Sequence, residues 1–233
     1  MGRWAIYIDI EGFGALWEAE DRSLRCLNGL MEAVYLIGTN VFPESPTRLF
    51  AHQIGDGFII VSEFGAESLG DPISIAIVLM RKVVETGCIA KAAIAEGDLA
   101  DIQGCYPKVI RDALRDENRV GMGQGIMTTF SVMGTALIRA VGISKKFSGG
   151  LLMTHKRVRD RLPSGLIVRE IPGTDVLTVD WVHSNVPRVK TIQEQAHLNM
   201  WTTEALENAI RGYLEKEEAS PTWKLNTKCL LAL

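Results

Sequence analysis

A tight turn, Gly55-Asp56-Gly57, joins two apolar runs in the first third of the chain and dictates how that region folds. The runs are Leu49–Ile54 and Phe58–Ser62, and a Gly-Asp-Gly link between two such runs is a strong signal for a β-hairpin. Because hairpin strands are antiparallel neighbours, the sheet that contains them is predicted to be antiparallel at this point.

Strands and helices alternate around this hairpin in the order βαββαβ, with further elements appended. The stretch Trp4–Ile10 alternates and is rich in β-branched and aromatic residues, which indicates a first strand. A first helix is predicted at about 16–37 with Gly38 as its stop, and a second from an Asp71 N-cap to about Gly87. Later predictions are strands at 91–96, 126–132, 150–154, 166–171 and 176–181, and helices at 107–117, 134–146 and 203–218. This order favours an α+β sandwich of the ferredoxin-like type, with helices covering one face of a mainly antiparallel sheet.

Residues 1–184 are predicted to form the main domain, and residues 185–233 a C-terminal appendage. The stretch from 185 to 203 contains a proline and shows no sustained helical periodicity, and only a charged helix is predicted beyond it. The appendage could contact a second copy of the chain or cover a sheet edge, and the sequence leaves both roles open.

Charge and cysteine usage narrow the classes of function. With 25 basic and 28 acidic side chains and a formal net charge of −3, the chain offers no electrostatic footprint for nucleic acid. No apolar run approaches the ~20 residues of a membrane span, and the longest, at 73–80, is typical of a packed helix. The cysteines show no metal-ligand spacing, so we expect reduced thiols in a cytoplasmic protein. They are Cys26, Cys88, Cys105 and Cys229.

Two acidic residues are the strongest candidates for chemistry. Asp9 ends the first predicted strand and Asp56 lies in the hairpin turn, so both reach one rim if the hairpin pairs beside that strand. Carboxylates on neighbouring strand ends suit Mg²⁺ or Mn²⁺, which takes its remaining ligands from water and substrate phosphates. Taken alone, Asp9 could be a strand-end cap and Asp56 the polar residue of a turn. The segment Gly12-Phe13-Gly14, at a predicted helix start, exposes N–H groups that suit a triphosphate.

The segments DIEGFG and IGDGF, jointly and in this order, resemble the metal-binding elements of the class III nucleotidyl cyclases, the family of adenylate and guanylate cyclases. Two later segments, AKAAIAEGDL and FSVMGTALIRAVGISKKF, resemble an inner strand and a strand–helix pair of that family, so the resemblance covers about residues 4–181. It implies a homodimer paired head to tail, with nucleoside triphosphate sites at the interface.

The resemblance also assigns roles to residues of each subunit. One subunit would supply the metal ligands Asp9 and Asp56 and the carbonyl of Ile10. The backbone of Gly12, Phe13 and Gly14 would surround the phosphates. The other subunit would read the base and supply groups to the transition state.

The base-reading half departs from the purine cyclases. His52 stands where a lysine is usual, and Ser131 stands at the position of the residue that reads adenine. On the following helix, Ile138 and Gly142 replace the expected asparagine and arginine, which leaves Arg139 as the candidate catalytic substitute. The basic run at 156–161 is interpreted as a solvated face that could lean toward a triphosphate.

Two interpretations fit these departures: a degenerate domain that binds nucleotide or a partner without turnover, or a cyclase that acts on another base. Because Asp9 and Asp56 are retained, the second is favoured, and the chain is similar to the bacterial pyrimidine cyclases of the Pycsar antiphage system. That resemblance implies conversion of UTP, or alternatively CTP, to the 3′,5′-cyclic monophosphate and pyrophosphate as an antiphage signal. An adenylate cyclase with displaced catalytic residues is the third alternative.

Overall fold

The computed structural model describes residues 2–14, 21–44, 47–63, 65, 67–116 and 118–231. Its strands are β1 (Arg3–Ile10), β2 (Leu49–Ile54), β3 (Gly57–Ser62), β4 (Ala90–Gly97), β5 (Ala100–Asp101), β6 (Leu114–Asp116), β7 (Arg119–Met122), β8 (Gly125–Thr128), β9 (Val132–Met133), β10 (Leu152–His155), β11 (Val168–Glu170) and β12 (Val176–Val179). Its α-helices are α1 (Arg22–Asn40), α2 (Gly70–Glu85), α3 (Lys108–Asp112), α4 (Thr135–Ser144), α5 (Pro187–Gln195), α6 (Thr203–Lys216) and α7 (Pro221–Lys228). Short 3₁₀ turns occupy Gln103–Cys105, Lys156–Arg161 and Cys229–Leu231.

A seven-stranded sheet forms the centre of the fold, in the order β11-β12-β10-β4-β1-β3-β2. Among its described pairings, β10 with β4 is parallel, and the others are antiparallel. The predicted α+β class with a mainly antiparallel sheet is therefore confirmed, as are the first strand and the hairpin of β2 and β3.

The two faces of the sheet have separate cores, because successive strand residues point to opposite sides. Trp4, Ile6 and Ile8 of β1 are buried in the larger core, which α1 and α2 cover. Ala5 belongs to the second face, where Ala136 of α4 packs against it. The prediction placed helices on one face, and α4 adds cover on part of the other.

Several element boundaries differ from the predictions. Helix α1 continues past Gly38 to Asn40, and the predicted start of this helix at 16–20 lies outside the described residues. Helix α2 has Leu69 as its N-cap. Asp71 instead lies in the first turn, where its carboxylate accepts a 2.6 Å hydrogen bond from Arg188 and complements the helix dipole. The strand predicted at 126–132 is divided between β8 and β9, and the helix predicted at 107–117 ends at Asp112 and gives way to β6.

The region predicted to be irregular after residue 185 contains a helix, α5. Pro187 opens it, and Val189 and Ile192 are buried, so tertiary packing supplies the stability that its weak periodicity does not indicate. Helix α6 matches its prediction, whereas α7 was not predicted. All three helices contribute to the larger core, α6 through Leu206 and α7 through Trp223.

The expectation of four reduced thiols is wrong for one pair. Cys26 of α1 and Cys88 form a disulfide with Cα atoms 6.2 Å apart. Packing of α1 against the end of α2 brings together cysteines that lie 62 positions apart, which spacing alone does not reveal. Cys105 and Cys229 are thiols. Within the described ranges, no helix has the length and apolar character needed to cross a membrane.

Candidate active site

Asp9 and Asp56 meet at one rim of the sheet. Asp9 lies next to last in β1 and is directly opposite Gly57 of β3. Asp56 immediately precedes Gly57 in the hairpin turn, so the antiparallel pairing carries it to the same end of the sheet. The two carboxylates are close enough for the charge of Asp56 to raise the pKa of Asp9.

Gly57 is what allows this approach. A Cβ atom at Gly57 would lie 2.4 Å from the carbonyl oxygen of Ile8 and 2.9 Å from the Cβ of Asp9. Any larger residue would therefore push β3 and the Asp56 turn away from β1. Gly57 therefore has two roles: it forms part of the hairpin turn, and its lack of a side chain lets Asp56 approach Asp9.

The rim is electronegative and partly buried. Burial raises the pKa of Asp9 to about 6; the positive charge of Lys91 opposes the shift, and Glu11 and Asp56 add to it. Burial also raises the pKa of Asp56. Burial together with the charges of Asp9, Asp56 and Glu11 raises the pKa of Tyr7 to about 12. Three acidic groups thus share one environment, which favours binding of a cation.

Asp9 has an unsatisfied oxygen at this rim. Its Oδ1 atom is buried and has no hydrogen-bond partner, which is costly for a carboxylate unless a ligand completes it. Within the part of the chain that the structure describes, no group of three or more His, Cys, Asp and Glu side chains is arranged around a metal position. Carboxylates such as those of Asp9 and Asp56 are hard oxygen donors, and a small number of them could hold Mg²⁺ or Mn²⁺, which does not need a full protein cage.

A buried ion pair lies beside these donors and was not predicted. Lys91 Nζ is 2.6 Å from Glu11 Oε1, and Lys91 is the residue of β4 directly opposite Asp9. Glu11 was visible in the motif DIEGFG, but a lysine 80 positions away can be assigned to this rim only from the register of β1 and β4.

The glycine segment follows the rim directly. Gly12 has a φ of +74°, in the left-handed region that favours glycine. Gly12 and Gly14 are exposed, whereas Phe13 packs against the larger core and anchors the segment. A helical turn starts at Phe13, and its continuation at 15–20 lies outside the described residues.

The structure brings His52 and Ser131 together in a cavity of about 510 Å³. The cavity lies on the face of the sheet that carries Ala5, since Val61 of that face also lines it. His52 Nε2 is buried without a hydrogen-bond partner, and the Phe130 ring meets the imidazole edge-on at 4.6 Å. Burial lowers the pKa of His52, which favours the neutral imidazole. Asp101 and Asn118, which the sequence did not single out, also line the cavity.

Arg139 lies away from the rim of its own chain. Its Nη1 atom donates a 2.9 Å hydrogen bond to the carbonyl of Glu96, near the end of β4 opposite to Lys91. The five intervening residue steps correspond to about 17 Å. Arg157 and Arg161 reach the same glutamate, with Arg161 Nη2 2.6 Å from its carboxylate, and the three arginines line a cavity of about 420 Å³.

The chain is therefore a mixed α+β domain with a carboxylate rim at one end of its central strands and an arginine cluster at the other.

No protein-family profile matches the chain, and no curated protein matches its sequence. Solved structures with a similar shape include the adenylyl cyclase CyaB from P. aeruginosa, at 12% identity, TM-score 0.48, and coverage of 76% of this chain and 93% of that one. The guanylyl cyclase Cya2 gives 12% identity, TM-score 0.46, and coverage of 80% and 94%. The guanylate cyclase domain of RhGC from Catenaria anguillulae, in complex with GTP, gives 10% identity, TM-score 0.47, and coverage of 76% and 95%.

Proposed function

We propose that the protein is a metal-dependent nucleotide cyclase that converts a pyrimidine nucleoside triphosphate, UTP in preference to CTP, into its 3′,5′-cyclic monophosphate and pyrophosphate. The observation that carries this proposal is the convergence of Asp9 and Asp56 at one rim, with the Oδ1 atom of Asp9 buried and unsatisfied. The resemblance of DIEGFG and IGDGF to the cyclase metal-binding elements supports the same assignment.

Asp9, Asp56 and the Ile10 carbonyl would hold Mg²⁺ or Mn²⁺. Such an ion, when bound, lowers the pKa of the ribose 3′-hydroxyl and neutralises charge on the triphosphate. The two carboxylates would fix the position of such an ion, because Asp9 lies in β1 and Asp56 lies in the turn directly before β3, the strand paired with β1. The 3′-oxygen forms a bond to the α-phosphorus, the bond to the bridging oxygen of the β-phosphate breaks, pyrophosphate leaves, and the hydroxyl proton passes to solvent.

The segment from Gly12 to Gly14 would bind the phosphates through its backbone. Its glycines are exposed and leave the N–H groups accessible, and the start of a helical turn favours an anion there. The anchoring of Phe13 in the core keeps this backbone fixed, so little ordering is required when the triphosphate binds.

The cavity containing His52 and Ser131 would hold the base. A neutral imidazole can donate or accept a hydrogen bond, and the serine hydroxyl can do the same. The pair can therefore match the mixed donor and acceptor edge of uracil. The neighbouring side chains of Phe50 and Phe130 suit the faces of a flat ring.

A head-to-tail homodimer would complete the site. His52 lies four residues before Asp56 in the hairpin, about 13 Å along the strand, and Arg139 lies at the opposite end of β4. In a two-fold arrangement the carboxylate rim of one protomer would face the base cavity and arginine cluster of its partner. Arg139, with Arg157 and Arg161 beside it, would then supply positive charge to the transition state. In this account the cyclic nucleotide serves as an antiphage second messenger, as the resemblance to the Pycsar cyclases suggests.

One observation favours a second candidate, a domain that binds nucleotide or a partner without turnover. Ile138 and Gly142 are exposed on α4 where the cyclases carry catalytic side chains, and Ile138 is 60% accessible. An adenylate cyclase with displaced catalytic residues is the third candidate.

Incubation of the purified protein with Mn²⁺ and, separately, UTP, CTP, ATP and GTP separates the three candidates, with products identified by chromatography and mass spectrometry. We expect cyclic UMP, or cyclic CMP, from the parent protein, a loss of about 100-fold or more in Asp56→Asn, and little change in Asp112→Asn, a matched control on the exposed face of α3. Cyclic AMP alone would support the adenylate cyclase. No cyclic product, together with equal nucleotide binding by the parent and Asp9→Ala, would support the binding domain and refute the enzymatic proposal.

A further inference from the structure

The Glu11 side chain is held by three groups from distant parts of the chain. It is 9% accessible, and its Oε1 atom is 2.6 Å from Lys91 Nζ. Its Oε2 atom accepts a 2.5 Å hydrogen bond from the indole Nε1 of Trp223 and a 3.2 Å bond from the backbone N–H of Gly149. Both oxygens of the carboxylate are thus occupied, and the side chain has one well-defined position.

The position of Glu11 determines which carboxylate forms an ion pair with Lys91. Lys91 is directly opposite Asp9 in the β1–β4 pair, and opposite residues on one face of antiparallel strands are close enough to form an ion pair. Lys91 nevertheless pairs with Glu11, and the Oδ1 atom of Asp9 remains without a partner. Glu11 therefore draws a competing cation away from a carboxylate that would otherwise be neutralised by its neighbour.

The C-terminal helix α7 supplies the group that fixes Glu11. Trp223 is 8% accessible, and its helix is attached to the loop that precedes β10 by two further hydrogen bonds. Asn226 Nδ2 donates to the Ser148 carbonyl at 2.7 Å, and the Gly150 N–H donates to Thr227 Oγ1 at 2.9 Å. The indole N–H is thus aimed at Glu11 by a docked helix and not by a flexible tail.

We propose that Trp223 is a positioning residue for the cation site, acting through Glu11 to keep Lys91 away from Asp9. This inference rests on the proposed function, because it requires that Asp9 and Asp56 bind a divalent cation. It gives the C-terminal segment a role that the sequence left open: the helix supports cation affinity through the contact of Trp223 with Glu11.

Direct binding of Mn²⁺, measured by electron paramagnetic resonance without nucleotide, tests the proposal. Trp223→Phe keeps an aromatic ring and every formal charge but removes the indole N–H donor, so Glu11 loses one of the three contacts that hold it. We expect the dissociation constant for Mn²⁺ to rise about tenfold, the value typical of a lost hydrogen bond to a charged group. Trp201→Phe is the matched control, since Trp201 packs against the same core but is not one of the three partners of Glu11, and it should bind Mn²⁺ as the parent does.

The same substitution in a background without the competing lysine separates positioning from a general structural effect. In Glu11→Gln/Lys91→Met the ion pair is replaced by a neutral pair, which avoids a buried unpaired charge. There Trp223→Phe should change the dissociation constant less than twofold. A tenfold loss that persists in this background would overturn the proposal, because the effect would then come from distortion of the loop.

Other outcomes are equally decisive. If the parent binds Mn²⁺ and Trp223→Phe binds it equally well, the positioning role fails and the proposed function stands. If the parent and Asp9→Asn both fail to bind Mn²⁺ at millimolar concentrations, the cation site of the proposed function fails and the positioning role falls with it. The cross-peak of the Trp223 indole N–H in nuclear magnetic resonance spectra supplies a readout independent of metal: it should shift in Glu11→Gln, and an unchanged peak would contradict the contact.

Discussion

Replacement of Gly57 by alanine should separate the two carboxylates while leaving both in the protein. The new Cβ would lie 2.4 Å from the Ile8 carbonyl oxygen and 2.9 Å from the Cβ of Asp9, whereas ordinary contacts begin at 3.4 Å. The first of these obstacles is backbone of the central strand β1, so β3 and the Asp56 turn have to move by about 1 Å. A shift of this size exceeds what the geometry of a divalent cation site tolerates.

The expected losses follow from that displacement. Overpacking of this kind costs about 1–3 kcal/mol of unfolding free energy, and a 1 Å misplacement of a reacting group costs about 100-fold in rate. The assays are urea denaturation followed by circular dichroism, Mn²⁺ binding by electron paramagnetic resonance, and formation of the cyclic nucleotide from UTP.

Gly55→Asn is the matched control in the same turn. Gly55 has a φ of +60° and open space around its Cβ position, and asparagine tolerates this conformation better than other residues with a side chain. The control should lose about 1 kcal/mol of stability and keep most of its Mn²⁺ affinity. A folded Gly57→Ala protein that binds Mn²⁺ as tightly as the parent would refute the idea that close strand approach builds the rim.

Two further predictions concern other parts of the molecule. Burial lowers the pKa of His183, but hydrogen bonds to Glu207 and Asp180 more than offset this effect, so the folded-state pKa is raised above 6.5. The protonated imidazole therefore stabilises the folded protein. This contribution is complete below pH 6.5 and is lost as the pH rises through the folded-state pKa. The difference in unfolding free energy between the parent and His183→Gln should accordingly shrink from pH 6 to pH 8, and a constant difference would contradict the assignment. If the active sites are composite, an equimolar mixture of Asp56→Asn and Arg139→Ala chains should recover about a quarter of parental cyclase activity after subunit exchange, because half of the dimers then retain one intact site; no recovery in proven heterodimers would contradict the head-to-tail arrangement.

Local sequence patterns predicted the strands, turns and helices whose stability depends on residues close together in the chain. The alternation of Trp4–Ile10 and the turn at Gly55 to Gly57 gave the strands of the rim, because strand propensity and turn chemistry act over a few residues. The apolar run at 73–80 gave α2 for the same reason. Helix α5 was missed because its stability comes from burial of Val189 and Ile192 against other elements, which no short window contains.

The residues of the candidate site fall into the same two groups, those predicted from local patterns and those that depend on tertiary packing. Asp9 and Asp56 were predicted because each follows or interrupts a recognisable strand signal. Lys91 and Trp223 were not, because their relation to Glu11 depends on strand register and on the docking of a C-terminal helix. The Cys26–Cys88 disulfide was missed for a comparable reason, since its closure depends on helix packing.

Titration of the parent, Asp9→Asn and Asp56→Asn with Mn²⁺, followed by electron paramagnetic resonance, tests most directly whether the two carboxylates form one cation site. The parent should bind Mn²⁺, and each single substitution should weaken binding by at least tenfold, since both ligands serve the same site. Equal binding by all three proteins would contradict this prediction.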